Sequence, residues 1–209
     1  MRLVYDDETL YVGAMLYDPE PDKLVSNELK RDFAPRDSDM FGITIDTFLD
    51  KLNGYGFFTM PMGAWRDSQV ADDGRANNQN WDGVWKVKTS IVKDGWIVEY
   101  SIPFRSLRFP RRDTQVWGLN VVRLIRRTNE ITLWNFVPRS FPLSKPSFAG
   151  TLEGIKGVKP GRDLRVKPYG LAAMANRAGS TSSVFDGGLD VKAGIGTNLV
   201  LDGTLRTDF

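Results

Sequence analysis

The sequence predicts an all-β fold: an antiparallel β-sandwich followed by a few barrel-type β-hairpin strands. Three observations predict it. Hydrophobicity alternates with a period of two along most of the 209 residues. The 20 Gly and 11 Pro break the chain into short runs, as many-stranded sheets require. Helical periodicity is nearly absent, and the best candidate is a single turn at Pro103-Phe104-Arg105-Ser106-Leu107 with Pro at its start.

The elements follow in order. Strands are expected at 2–5, 10–17, 41–45, 54–60, 85–91, 96–102, 116–125, 130–137 and 148–153. Leu10 to Tyr17 is apolar on both faces, the pattern of a central strand covered on both sides. Lys93-Asp94-Gly95 joins two alternating runs, and Asp-Gly is a strong hairpin signal. Near residue 155, Gly154, Gly157, Pro160 and Gly161 form a linker-like run. The expected division is therefore 1–155 for the sandwich and 156–209 for a linker and the start of a barrel-like region. In the latter, Leu189, Val191 and Ile195, then Leu199, Leu201 and Leu205, alternate with polar residues around Gly196-Thr197-Asn198. Transmembrane barrel strands read this way, and so do edge hairpins of soluble sheets. Closing a barrel requires chain beyond Phe209. At the other end the chain opens on a strand, so the natural N-terminus, with any signal peptide, is expected upstream of this N-terminally truncated fragment.

Composition excludes whole classes of chemistry. With no Cys and no His, the chain holds no thiol nucleophile, disulfide, imidazole zinc site or Ser-His-Asp triad. A metal would need oxygen ligands, which points to Ca²⁺ or Mg²⁺. Asp37 and Asp39 precede a strand, and Asp46, Asp50 and Asn53 follow it. The four aspartates are the candidate calcium ligands, against the alternative that they form Asx turns. Charge is uneven: residues 1–50 carry a net −7 and residues 101–170 a net +10, in a chain of +2. The two stretches are expected to pair across one fold rather than form a polyanion patch, so no nucleic-acid partner is expected.

Among carboxylates, Asp46, Asp50, Asp67, Asp82 and Glu99 are candidates for acid–base work, but no pair stands out and no catalytic residue is assigned. Walker A, Rossmann and nucleophile-elbow patterns are missing. Aromatic residues in polar loops are more informative. Asn80-Trp81-Asp82 closes an amide-rich loop, and Trp65-Arg66-Asp67 places a second indole beside a cation and a carboxylate. A sugar presents an apolar C–H face and polar hydroxyls, so Trp81, Trp65, Asn80, Asp82, Arg66 and Asp67 are the candidate carbohydrate-binding set. Trp85, Trp96 and Trp117 are expected in the core, and Trp81 has that alternative too.

Several strings carry a family resemblance: Val4-Tyr5-Asp6-Asp7-Glu8 with Leu10-Tyr11-Val12-Gly13, Asp39 with Ile43-Thr44-Ile45-Asp46, Gly95-Trp96-Ile97-Val98-Glu99 leading to Ile102-Pro103-Phe104, and Trp117-Gly118-Leu119-Asn120. Over roughly residues 1–155 the chain resembles the family 9 carbohydrate-binding module, a β-sandwich attached to glycoside hydrolases. Ser106-Leu107-Arg108-Phe109-Pro110 and the 184–209 hairpin are similar to a bacterial group that joins such a module to a C-terminal outer-membrane-type β-barrel. The resemblance implies a preceding strand upstream of Met1 and bound calcium. It also implies two tryptophans that sandwich a terminal sugar and an acidic residue on the nearby strand. This chain has Pro35 and Arg36 at the first tryptophan, Phe141 and Phe148 nearest the second, and Gly42 at the acid.

The expected function is a non-catalytic glycan-binding module at the bacterial cell envelope, in the periplasm or at the outer membrane, associated with carbohydrate catabolism. Its expected partners are a glycan or oligosaccharide and the outer membrane through a C-terminal barrel. The alternatives are a structural periplasmic domain of a barrel protein without sugar binding, and a glycoside hydrolase fragment.

Overall fold

The computed structural model describes residues 1–35, 37–161, 164–177, 180–195 and 199–206. The chain divides into two compact units, Met1–Gly161 and Arg162–Phe209. In chain order the strands of the first unit are β1 (Arg2–Tyr5), β2 (Thr9–Tyr17), β3 (Met40–Asp46), β4 (Gly54–Thr59), β5 (Trp65–Ala71), β6 (Ala76–Asn78), β7 (Lys86–Val92), β8 (Gly95–Pro103), β9 (Thr114–Ile125), β10 (Glu130–Leu133) and β11 (Gly150–Lys156). All their pairings are antiparallel. One sheet runs β1-β2-β8-β7. The other, of seven strands, runs β10-β9-β3-β4-β5-β6, with β11 also paired to β9.

Alternation decides what the sheets bury. Leu10, Val12, Ala14 and Leu16 of β2 and Trp96, Val98, Tyr100 and Ile102 of β8 face Phe41, Ile43 and Ile45 of β3 and Phe57 of β4 in one core. The buried Tyr100 hydroxyl donates to Phe41 O at 3.0 Å, a direct bond between the two sheets. Gly95 completes the Asp-Gly hairpin at φ +142°, where a Cβ would lie 2.0 Å from Leu16 O, so glycine alone fits. The Phe104–Ser106 turn begins where the Pro103 signal places it and packs Phe104 with Phe109 and Trp117 at one end of the sandwich. The 106–110 string is held there by Ser106 Oγ donating to Val84 O and by Tyr55, whose hydroxyl accepts from Arg108 N.

Part of the charge asymmetry is spent inside this unit. Asp18, at the end of β2, is buried and pairs with Arg127 at 3.0 Å and Arg123 at 3.6 Å, bringing an acid of the first fifty residues to bases from β9 and the turn after it. Burial opposes ionisation of Asp18, but the bonds from Glu20 N and Arg127 outweigh it and hold the carboxyl below its ordinary range.

Four expectations change. β2 is covered on one face only, because Tyr11 and Tyr17 lie exposed on the far side of the four-stranded sheet. β10 ends at Leu133 rather than 137, and the chain leaves the sheet there. The first unit ends at Gly161 rather than 155, since Ile155 and Val158 are buried in its core. The polar segment at 65–71 is a strand, with β6 beside it. It lacks an apolar alternation because its buried Arg66 and Asp67 are held by hydrogen bonds instead.

The second unit is a three-stranded antiparallel sheet: β12 (Leu164–Arg177), β13 (Ser180–Ile195) and β14 (Leu199–Leu205). Register places Val166 opposite Val191 and Leu189 opposite Leu205 on one face, and Lys167 opposite Asp190 and Asp190 opposite Thr204 on the other. Val166, Met174, Phe185, Leu201 and Leu205 are exposed. The expected turn at 196–198 lies outside the described residues.

Trp96 is fully buried between the sheets. Trp96→Ala is expected to cost about 3–5 kcal/mol, since the cavity adds to the lost transfer energy. Chemical denaturation of the two proteins measures it, and a loss under about 1 kcal/mol would contradict this core assignment.

Candidate functional site

The two loops that the sequence singled out meet, but not as one platform. Successive residues of a strand point to opposite faces. On β5, Trp65 and Asp67 share one face and Arg66 takes the other. Asp67 is 0% exposed; it accepts from Gly83 N at 2.6 Å and from Arg31 at 2.8 Å. Arg31 also pairs with Asp82 at 2.5 Å and approaches Asp32 at 3.7 Å, and its guanidinium stands 6.0 Å from the centre of the Trp65 ring. One guanidinium thus gathers three carboxylates and an indole. Trp65 is 37% exposed, and Asp82 and Asp32 reach solvent.

The other candidates separate. Trp81 turns inward against Tyr55 (5.0 Å) and Phe57 (6.0 Å) and serves the core. The apolar face that Tyr55 and Phe57 present draws it there and leaves it partly buried. Asn80 is exposed in a turn, its N–H donating to Asn78 Oδ1. Arg66 is 8% exposed and donates to Phe33 O at 3.0 Å. It therefore belongs to the outer face of the seven-stranded sheet, not to the Trp65 group. The sequence reading passed over Arg31, which no spacing signals because 36 residues separate it from Asp67. It also passed over Trp134 and Phe136, both well exposed.

That outer face carries a pocket. Its floor is Met40, Phe58 and Leu124, with Arg66 and Asn77 at one side and Ile131 at the other. Two crossing segments wall it. One supplies Ala34 and Pro35 and is tied to β5 by Asp32 N donating to Trp65 O at 3.0 Å. The other, residues 134–149, supplies Leu143 and Ser144. It is fastened at Asn120, which bonds Asn135 N and O, and at Asp73, which holds Lys145 and Ser147 N. The cavity holds about 380 Å³. The segments to which the resemblance assigns two sugar-stacking tryptophans thus flank a real cavity, lined here by Pro35, Leu143 and Ser144. At Gly42, where the resemblance expects an acid, a Cβ would stand 2.1 Å from the Phe58 ring, so that ring occupies the space of any side chain.

The four calcium candidates do not converge. Asp37 and Asp39 precede β3, and Asp46 and Asp50 lie at its far end. Asp39 accepts from Val25 N and Arg126 N, and Asp46 from the N–H groups of Phe48, Asp50 and Lys51. Asp50 caps Leu52 and Asn53. Among the described residues no three acidic side chains form a metal-sized group. Glu99 lies on the exposed face of β8.

Comparison with known proteins supports the fold. Neither a protein-family model nor a curated protein matches the chain. A crystal structure of a putative carbohydrate-binding protein from Bacteroides uniformis superposes with a TM-score of 0.61 over 73% of this chain and 76% of that one, at 13% identity. The chain shares that protein's β-sandwich fold.

Two outcomes follow from these carboxylates. Arg31→Ala leaves Asp67 buried with Gly83 N as its remaining bond. A cost of about 2–3 kcal/mol is expected at pH 7, below the roughly 3–5 of a fully buried pair because Arg31 is partly exposed. Burial already pushes the Asp67 carboxyl above its ordinary 3.8, against the pull of Arg31 and Gly83 N. An acid with a raised folded pKa contributes most to stability below its unfolded value and loses that contribution as pH rises through the folded value. Removing Arg31 raises the folded value further, so the variant's deficit should shrink as pH falls from about 7 toward 4, as urea titrations would read. Separately, melting with excess Ca²⁺ and with chelator should coincide, because backbone N–H groups already occupy the Asp39 and Asp46 oxygens. A rise in Tm with Ca²⁺ would restore the metal.

Proposed function

We propose that the first unit is a non-catalytic, carbohydrate-binding-like module whose glycan rests on Trp65. The observation that carries this reading is the Trp65 rim itself. An exposed indole stands beside a guanidinium fixed by Asp67, with the solvent-reaching carboxylates of Asp82 and Asp32 next to it. The indole offers an apolar face to a pyranose ring, and the charged groups offer strong, oriented bonds to its hydroxyls. The shared fold with a protein described as carbohydrate-binding supports the same reading. Glycosidic cleavage needs two carboxyls facing the sugar. At this rim the two solvent-reaching carboxylates, Asp82 and Asp32, are both drawn to the one Arg31 guanidinium rather than set on opposite sides of a cleft, which favours binding without hydrolysis.

The second unit favours an envelope setting. Its sheet carries Val166, Phe185 and Leu205 on one face and Lys167, Asp190 and Thr204 on the other, the division that a lipid-facing barrel wall requires. A barrel would need strands besides these three. In this reading the module works in the periplasm or at the outer membrane, close to carbohydrate breakdown. The competing reading is a structural periplasmic domain without sugar binding.

A single open rim gives weak affinity, with a Kd on the order of 10 µM to 1 mM. Calorimetry against a glycan panel should find such a ligand. Trp65→Ala should abolish its binding while Trp134→Ala leaves it intact. Loss on Trp134→Ala alone would move the platform, and no binding to any glycan would favour the structural role.

A further inference from the structure

Five charged side chains are buried in the described residues, and four are answered from within the protein. Asp18 has Arg127 and Arg123, and Asp67 has Arg31. Asp39 and Asp46 accept from backbone N–H groups. Arg66 is the exception. It is 8% exposed, its bond is to the neutral Phe33 carbonyl, and no carboxylate of the described residues lies within ion-pair distance of it. Asp32 acts on it only from farther off, and burial works against its charge. A guanidinium has five N–H donors and does not deprotonate in proteins. A buried charge without a counter-charge is costly and is rarely kept without a use.

Among the described residues, Arg66 is also the cation that lines the outer-face pocket. The cavity, at about 380 Å³, falls within the size range of small-ligand sites. Around Arg66 its surface is hydrocarbon: Met40 and Phe58 below, Leu124 and Ile131 beyond, Pro35 and Leu143 at the walls. Among the described residues, Asn77 and Ser144 are the remaining polar groups of the lining. Such a lining would leave most hydroxyls of a sugar ring unpaired. It suits a molecule that is apolar over most of its surface and anionic at one end.

We propose that this pocket binds a small apolar carboxylate, its carboxylate paired with Arg66 and its hydrocarbon body lying on Met40, Phe58, Leu124 and Leu143. The site is separate from the Trp65 rim, because Arg66 and Trp65 are adjacent on β5 and face opposite ways. Planar guanidinium and carboxylate meet in two parallel bonds, which sets the orientation of the ligand. Phe58 forms the floor because Gly42 and Gly56 leave room for its ring, each lacking the Cβ that would strike it.

The test is calorimetry on the full chain with 3-phenylpropanoate, its neutral amide and galacturonate. The carboxylate should bind at least about tenfold tighter than the amide. Arg66→Met, apolar and of similar length, should erase that preference. Ile131→Trp, at the exposed edge of the cavity, should weaken binding without touching Arg66, which keeps the test meaningful even if Arg66→Met folds poorly. Equal affinity for acid and amide, no binding of 3-phenylpropanoate to the folded protein, or unchanged affinity in Ile131→Trp would each overturn the proposal. Arg66-dependent binding of galacturonate alone would overturn the apolar ligand class and assign the pocket to acidic sugars. Trp65→Ala should leave 3-phenylpropanoate binding unchanged; a loss there would merge the two sites and also overturn it.

Discussion

A chain of packed aromatic rings holds the sandwich together. Phe41 of β3 packs on Tyr100 of β8 with centroids 5.8 Å apart. Tyr100 meets Trp85 at 5.1 Å, Trp85 meets Phe57 of β4 at 5.1 Å, and Trp81 lies on Phe57 and Tyr55. All five of these contacts are edge-on or tilted rather than face-to-face, as ring quadrupoles favour. The chain crosses from one sheet to the other and back, and the Tyr100–Phe41 hydrogen bond pins its Phe41 end. It also fixes where the functional surfaces lie. By drawing Trp81 inward it brings Asp82 and Gly83 against β5, where Gly83 N meets Asp67.

Strand geometry then sorts β5 into two roles. Trp65 and Asp67 turn toward the Arg31 group, and Arg66 turns to the opposite face. One short polar stretch therefore serves two surfaces of different chemistry, an open aromatic rim with charged neighbours and an apolar pocket with one buried cation. The pocket owes its character to two glycines. Gly42 and Gly56 let the Phe58 ring lie flat on the sheet, and that ring occupies the space an acidic side chain at position 42 would need.

The acidic N-terminal stretch and the basic stretch after residue 100 meet where folding buries one of them, as Asp18 does against Arg123 and Arg127. Elsewhere the acids answer the backbone. Asp46 and Asp50 hold the N–H groups of the turn that follows β3, and Asp39 ties two distant segments. A carboxylate engaged in this way stabilises a loop, and among the described residues these acids answer the backbone at separate places rather than gathering at one.

The sequence by itself determined the all-β class, the apolar alternation of β3, β7 and β8, and the hairpin at Asp94-Gly95. Those features are local: strand period and turn chemistry act between near neighbours. It also marked Trp96 and Trp117 as core and placed chemical interest at Trp65, Asp67 and Asp82. What it did not carry was facing. Reading 65–67 as a loop grouped Arg66 with Trp65, whereas a paired strand places them back to back. Tertiary structure alone decided that Trp81 packs inward, that Arg31 gathers Asp67 and Asp82 from across the chain, and that Arg66 is buried at the side of a pocket. The physical reason is that each depends on contacts between residues far apart in sequence, which alternation and spacing along one chain do not encode.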